Sequence, residues 1–409
     1  MTESLPVFDL VIAGGAASGL ALAAAVKQAL GDGVAVAVVE PARPPSASAR
    51  SPLRTVAIAE GPRRLLDRIG GWDAIEPKAQ AVMRMAIMDG GVRDAVRLPH
   101  LQFDQRDGYP LAHMAFNDDV VASLSALSDR LGVVRIAGSV ARWRPGKRVA
   151  ELGLGDGRTV AARLAVAADG MRSKLRTLAD IPAYGWDYDQ SGIVATIAHE
   201  YDHEGVAEQH FLPAGPFAIL PLPGRQSSIV WNERRADAQE LIALDPEDFV
   251  RQLELRFTPK LGAIRLASRV EAFPFRFQVV RRFIGDRLAL VGDAAHVVHP
   301  IAGQGLNLGL RDVAALAETI VDALRLGLDP GRPSGLADYQ RARRFDVVAS
   351  GMGMDLMNRL FSNDFGPLRF VRDLDLRLVD RAPPIKDRLI VEAGGAGREA
   401  PRLLRGAAL

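Results

Sequence analysis

With 409 residues the chain has room for two or three domains, and 48% apolar with 24% charged residues is the composition of an ordinary soluble globular protein. The 51 basic and 49 acidic residues leave a net charge of +2, which gives no broad electrostatic reason to expect nucleic acid as a partner. Cysteine is absent, which excludes disulfides, thiolate metal sites, iron–sulfur clusters and a cysteinyl cofactor link, so any redox chemistry needs a borrowed group.

The start, "MTESLPVFDLVIAGG", has no basic segment followed by an apolar run and a cleavage site. No apolar stretch approaches the ~20 residues of a membrane span, and a cytoplasmic location is expected. Residues 8–41, "FDLVIAGGAASGLALAAAVKQALGDGVAVAVVEP", read as an apolar strand, a glycine turn, an alanine-rich helix ending near Gly31 and a second apolar strand stopping at Glu40. That is a βαβ unit. In such a unit Gly14 permits the tight turn, position 16 lets the backbone approach a pyrophosphate, and Gly19 lets helix and strand pack closely. Position 16 is Ala16, whose methyl intrudes where phosphates would approach. Glu40, about 20 residues past the last glycine, suits hydrogen bonds from ribose hydroxyls and disfavours a 2′-phosphate. The alternative is a surface glutamate after an ordinary βαβ unit.

"PARPPSASARSPL" (41–53) reads as a loop rather than a domain linker, and "VMRMAIMDGGVRDAVRL" (82–98) as a hairpin turning at Asp89-Gly90-Gly91. "ARLAVAADGMRSKLR" (162–176) is another buried strand, ending in Asp169-Gly170 before a polar helix start with Arg172, Ser173 and Arg176. Residues 186–277 alternate like strands broken by Pro-Gly turns. The apolar run "RLALVG" (287–292) reads as a buried strand, and "GDAAHVVHPIAGQGLNLGLRD" (292–312) carries it through a glycine-rich bend into a helix whose Leu306, Leu310, Val313, Ala317, Ile320 and Leu324 recur at spacings of four and three. Such a helix start aims unpaired N–H groups at an anion or a polarised carbonyl. No Gly-Lys-Ser/Thr ending is present, which argues against a nucleotide triphosphate. His296 and His299 have no adjoining carboxylate pattern, so structural roles stand ahead of a metal, and no metal is expected.

These pieces, in this order, resemble the single-component flavoprotein monooxygenases of the para-hydroxybenzoate hydroxylase type, and most of all the ubiquinone-biosynthesis hydroxylases. The matching segments are "DLVIAGGAASG", "LRTVAIAEGPRRLLDRIGGW", "AADGMRSKLR", "YDQSGIVATIAHE", "GPFAILPLP", "RLALVGDAAHVVHPIAGQGLNLGLRDVAALAE" and "NRLFS", spread from residue 9 to 362. The resemblance implies an α/β fold: a Rossmann-like FAD-binding domain with an inserted β-sheet substrate domain and C-terminal helices. Residues 1–78, 105–180 and 278–335 would form the discontinuous FAD-binding domain, 79–104 and 181–277 the substrate domain, and 336–409 C-terminal helices and a loose basic tail.

The implied cofactor is non-covalent FAD. Gly14, Ala16 and Gly19 would face its pyrophosphate, and Glu40 would hold the adenosine ribose. Arg54 and Asn117 resemble flavin-side polar contacts, plain surface residues being the alternative. Asp169 is associated with the pyrophosphate and with use of a nicotinamide donor. Asp293 would accept from a ribityl or phosphate-proximal hydroxyl, since a buried aspartate without such a partner is costly. The loop from Pro300 through Gly303 to Gly305 would lie along the isoalloxazine, and the helix beginning near Leu306-Asn307 would aim N–H groups at the flavin N1–C2=O edge.

The implied reaction takes electrons from NAD(P)H or a ferredoxin, takes dioxygen as co-substrate, and passes one oxygen atom from a C4a-hydroperoxyflavin to the ring of a polyprenylated phenol precursor of ubiquinone. An apolar pocket would be supplied by Phe217, Ile219 and Leu220, with Gln190 as a polar contact and the Pro300 carbonyl orienting the phenol hydroxyl. Plain sheet core is the alternative for each strand residue. No acid–base side chain is obvious. A lipophilic prenylated phenol implies peripheral membrane contact, through the basic tail or through partners in a ubiquinone-biosynthesis assembly. The same fold leaves open a prenyl-chain reductase, a halogenase or a non-catalytic flavin-binding scaffold, although the Trp-x-Trp-x-Ile-Pro segment of such halogenases is absent.

Overall fold

The structure, a computed structural model, describes residues 6–41, 54–89, 99, 101–105, 108–256, 259–299, 303–361, 394, 395, 397 and 399–409. β1 (Val7–Ala13) turns through glycines into α1 (Ala17–Leu30), and β2 (Val36–Glu40) returns beside it. β3 (Thr55–Ala59) runs directly into α2 (Glu60–Arg68). β4 (Gln80–Val82), β5 (Arg84–Asp89), β6 (Leu101–Asp104) and β7 (Ala112–Phe116) precede α3 (Asn117–Arg130). β8 (Val134–Ala137), β9 (Val140–Arg144), β10 (Ala150–Leu154) and β11 (Thr159–Ala167) lead to α4 (Lys174–Leu178). β12 (Ala183–His199), β13 (Val206–Leu212), β14 (Gly215–Leu222) and β15 (Gln226–Arg234) are followed by α5 (Arg235–Ile242) and α6 (Pro246–Glu254). β16 (Ile264–Leu266), β17 (Glu271–Val280), β18 (Ile284–Gly285), β19 (Leu288–Leu290) and β20 (His296–Val297) then lead to α7 (Gln304–Arg325) and α8 (Pro333–Phe361).

Among the described residues the strands form three sheets. In the first, β19, β11, β1, β2 and β8 run parallel, with β18 antiparallel at one edge and β10 and β9 folded back on β11. Parallel strands covered on both faces need continuous apolar runs, and Val11, Ile12, Val38, Ala165 and Leu290 are all buried. α1 is rich in alanine, and a methyl at Gly309 of α7 would stand only 2.7 Å from Ser18 Oγ of α1, so small residues set how closely these helices pack.

The second sheet runs β20, β17, β12, β15, β14, β13, β5, β6, with β16 on β12. Its pairs are antiparallel except β13 beside β5. One face carries Ile193, Phe217, Ile219 and Trp231 into a core closed by Ala238, Phe249 and Leu253 of α5 and α6. The opposite face of β14 sends Leu220 and Leu222 toward Val82, Met114 and Phe116 of the third sheet, β3–β7–β4. A hydrogen bond of 2.8 Å from Thr55 Oγ1 to Ser228 Oγ ties these two sheets together.

The α/β architecture expected from the sequence is the one observed. Two local expectations are corrected. For the hairpin expected at Asp89-Gly90-Gly91, β5 pairs with Leu101–Asp104, Ile87 opposite Leu101, which puts the described return strand ten residues beyond those glycines; residues 90–98 lie outside the described residues. The end of the chain is not a loose tail either. Leu403 and Leu404 are buried in the main core, and Arg402 donates to Glu318 at 2.9 Å and to Asp322 at 2.6 Å, so two buried leucines and two ion pairs to α7 dock it.

Candidate cofactor and active site

The turn between β1 and α1 has steric reasons for its glycines. Gly14 has φ +119°, and a Cβ there would lie 2.1 Å from the Ala168 carbonyl oxygen at the end of β11. A Cβ at Gly19 would lie 2.0 Å from the Gly14 oxygen. Ala16 is the extended residue just before α1, exposed and without a side-chain cap, so the first N–H groups of the helix open outward past its methyl. Gly15, not singled out by the sequence pattern, faces Glu40: a Cβ there would stand 1.7 Å from Oε2.

Asp169 follows β11 and divides its carboxylate. Oδ2 accepts from the backbone N–H of Lys174 at 2.8 Å and of Leu175 at 3.2 Å, capping α4 together with Ser173, while buried Oδ1 has no partner among the described residues. Arg176 of α4 reaches across to the Ala294 carbonyl at 3.0 Å, and burial lowers its pKa. It thereby joins the Asp169 turn to the Asp293 turn.

Asp293 was expected to be buried. Its side chain is instead exposed, so the burial-cost argument for a partner does not hold. Surrounding protein still raises its pKa by desolvation, opposed by the charges of His296 and Arg54, which places the Arg54 charge near Asp293. The turn is rigid for a reason far along the chain. Asp312 is fully buried and accepts from Gly292 N–H at 2.9 Å, His296 Nε2 at 2.6 Å and Arg343 Nε at 2.8 Å. Burial alone would push its carboxyl up, but His296 and Arg343 outweigh it and hold it below its ordinary value. His296 is thus committed to Asp312. His299 is fully buried between the rings of Tyr188 and Phe275, with neither nitrogen partnered among the described residues.

α7 begins at Gln304, before the expected Leu306-Asn307, after Gly303 in the left-handed region at φ 60°. A side chain at Gly305 would meet nothing within 4 Å, so this helical turn faces open space. Leu306, one residue on, is half-buried against the main core. The Asn307 side chain is buried and committed to the protein. Oδ1 accepts from Ala59 N–H at 3.0 Å, and Nδ2 donates to the carbonyls of Ala57 at 2.8 Å and Gly303 at 3.3 Å. It clamps β3 to the helix start and leaves only its backbone for a ligand.

Arg54 and Asn117 come together through a 2.9 Å bond from Asn117 N–H to the Arg54 carbonyl, and the Arg54 guanidinium lies 5.8 Å from the Phe273 ring. On the substrate side Phe217 is corrected. Alternation along β14 sends it into the core with Trp231 and Phe249, away from Leu220, which alone of the two lies on the face toward the third sheet. Gln190 Nε2 donates to the Ala214 carbonyl at 2.8 Å. Pro300 lies outside the described residues. No metal-ligating cluster occurs among the described residues.

Ala16, Arg54, Asp293 and Gly303 are all exposed, on segments that meet: Gly292 lies against Ser18 of α1 and Gly309 of α7, Gly303 against Ala57 of β3, and the Arg54 charge acts on Asp293. The residues gathered there fit a flavin dinucleotide: a glycine turn packed so tightly on Ala168, Glu40 and its own backbone that it admits no Cβ, two long helices with their N-termini at the site, and a buried unpartnered Asp169 oxygen. Gly15, Ser18, Asp312 and Arg343 were missed by sequence reasoning. The one local signal was a charged pair, Arg311-Asp312, inside an otherwise apolar helical stretch.

Comparison with known proteins agrees with this geometry. A family model described as FAD binding domain matches residues 7–349. The chain is 42% identical to a ubiquinone hydroxylase, UbiL, of Rhodospirillum rubrum, over 98% of this chain and 94% of that one. It is 32% identical to the 3-demethoxyubiquinol 3-hydroxylase of Escherichia coli, covering 95% and 98%. Among solved structures, p-nitrophenol 4-monooxygenase PnpA of Pseudomonas putida superposes with a TM-score of 0.78 at 20% identity, over 97% of this chain and all (100%) of that one. The chain belongs to the FAD-binding-domain family of flavoproteins, alongside the ubiquinone-biosynthesis hydroxylases.

Proposed function

We propose that the protein is an FAD-dependent hydroxylase that inserts one oxygen atom from dioxygen into the ring of a prenylated phenol on the way to ubiquinone. The observation that carries this reading is the cleft itself, where the α1 and α7 N-termini and the Asp169 and Asp293 turns converge in a chain 42% identical to a ubiquinone hydroxylase over almost its whole length. In this reading the parallel sheet holds the dinucleotide and the large antiparallel sheet covers the substrate. FAD, when bound, supplies the activation of dioxygen, with electrons from NAD(P)H or a ferredoxin.

The chain's own residues do the rest. The glycine turn admits the pyrophosphate beside the α1 N–H groups, and Asp293 accepts from a sugar-chain hydroxyl. The first N–H groups of α7 face the flavin edge that becomes negative on reduction. Leu220 and its neighbours exclude water from the ring to be hydroxylated, which matters because an electron-rich phenol needs little beyond orientation and a dry site. No helix among the described residues is long and apolar enough to cross a membrane, and a prenylated substrate is reached in this reading by peripheral contact with the bilayer or through assembly partners. Arg402, near the end of the chain, is not offered for that contact, since its charge is paired within the fold.

The test is turnover under labelled dioxygen. The purified protein should be yellow and release intact FAD on denaturation. With reductant, a short-chain prenylphenol and any redox partner present, label should appear in a new ring hydroxyl. A product labelled only from water, or a supernatant with no FAD after reconstitution, would overturn the proposal.

A further inference from the structure

Glu40 is held from one side only. It ends β2, and β8 lies parallel beside it with Arg135 opposite Val38 and Ala137 opposite Glu40. From that register the Arg135 guanidinium reaches back along the sheet edge. Its Nε donates to Glu40 Oε1 at 3.0 Å and its Nη2 donates to the same oxygen. Both side chains are largely shielded, 23% and 18% exposed, so the pair is not a freely solvated surface contact. Oε1 is therefore doubly committed. Oε2 accepts nothing from the described residues and lies over Gly15, so close that a methyl at that position would stand 1.7 Å away. The remaining guanidinium nitrogen, Nη1, is buried and also lacks a partner among the described residues, although buried donors are rarely left unpaired without a missing ligand or water.

We propose that Arg135 is a positioning residue for the dinucleotide: by seizing one oxygen of Glu40 it presents the other, across the bare backbone of Gly15, to a hydroxyl of the adenosine ribose. This rests on the FAD reading above and adds to it. A glutamate left to itself samples several rotamers and must be ordered when the ligand arrives, whereas a clamped one is ordered beforehand. The clamp also explains Gly15. A free glutamate would swing away from a methyl at that position, but a carboxylate held by two guanidinium donors cannot, so the cradle needs glycine because Arg135 is where it is.

The experiment compares FAD with its analogue carrying 2′-deoxyadenosine, each titrated into the apoprotein by flavin fluorescence quenching. Wild type should prefer FAD roughly tenfold, the usual size of one charge-assisted hydrogen bond. Glu40→Gln and Arg135→Met should each cut that preference below about threefold, and the double variant should be no worse than Glu40→Gln alone. A merely structural arginine would lower the affinity for both ligands equally and leave their ratio intact. Arg135→Lys, which keeps the charge without the two-donor grip, provides the same reading if Arg135→Met fails to fold, and should also lose most of the preference. Retention of the tenfold ratio in the Arg135 variants, or additive losses in the double variant, overturns the proposal. Wild type that binds FAD with no preference over the analogue also overturns it, whereas wild type that binds neither ligand removes the FAD reading itself.

Discussion

Replacing His299 by leucine should change how stability responds to acid more than it changes stability at neutral pH. Burial lowers the pKa of His299 from 6.5 to about 4, opposed only weakly by Asp355, so the folded protein keeps this imidazole neutral. The unfolded chain takes up the proton below pH 6.5 and the folded chain only below about 4, so the unfolded state binds more protons between those values and stability falls as pH falls. Between pH 7.5 and 5.0 that single site costs about 2 kcal/mol, and the full difference in pKa corresponds to about 3 kcal/mol. The leucine variant has no proton to take up there. At pH 7.5 it also removes two unpartnered ring nitrogens from the interior, which limits any loss from altered packing against Tyr188 and Phe275. Urea unfolding of both proteins at the two pH values, at equal FAD content, gives the double difference. The variant should gain about 2 kcal/mol relative to wild type on going to pH 5.0. Parallel pH dependences would show that His299 titrates normally and that the buried, unpartnered placement is wrong.

Asn307→Leu should cost about 2–4 kcal/mol, because it strands the buried Ala59 N–H and the Ala57 carbonyl; a thermal melt showing no loss would refute the clamp. Asp293→Ala should weaken FAD retention, while Gly305→Val, at a position where a Cβ meets nothing within 4 Å, should fold normally and impair turnover; dialysis and steady-state assays separate the two, and identical near-zero effects would remove this turn from the flavin. At the C-terminus Leu404→Ala should destabilise by about 2–5 kcal/mol. Arg402→Ala, whose partly exposed ion pairs are screened, should cost no more than about 1 kcal/mol, and the reverse order in urea midpoints would mean that charge rather than burial docks the chain end.

What was legible in the sequence is what local chemistry dictates. The apolar run to Ala13, the glycines at 14 and 19, and the acid at 40 announce a βαβ unit because the turn tolerates no Cβ and the strands are buried on both faces. The period of α7 likewise follows from Leu310, Val313, Ala317 and Ile320, all of which are in the core. Alternation in "GPFAILPL" shows that β14 has two faces, but not which one α5 and α6 will cover, and so it could not tell that Phe217 is core while Leu220 turns the other way. Side chains with distant partners were equally illegible. The Asn307 side chain has no visible partner until β3 arrives beside it, and Glu40 reads as a lone carboxylate until β8 brings Arg135 from 95 residues away. A hydrogen bond of this kind depends on a donor and an acceptor meeting at about 3 Å, a condition set by how the sheets and helices pack and carried by neither residue's own neighbourhood in the chain.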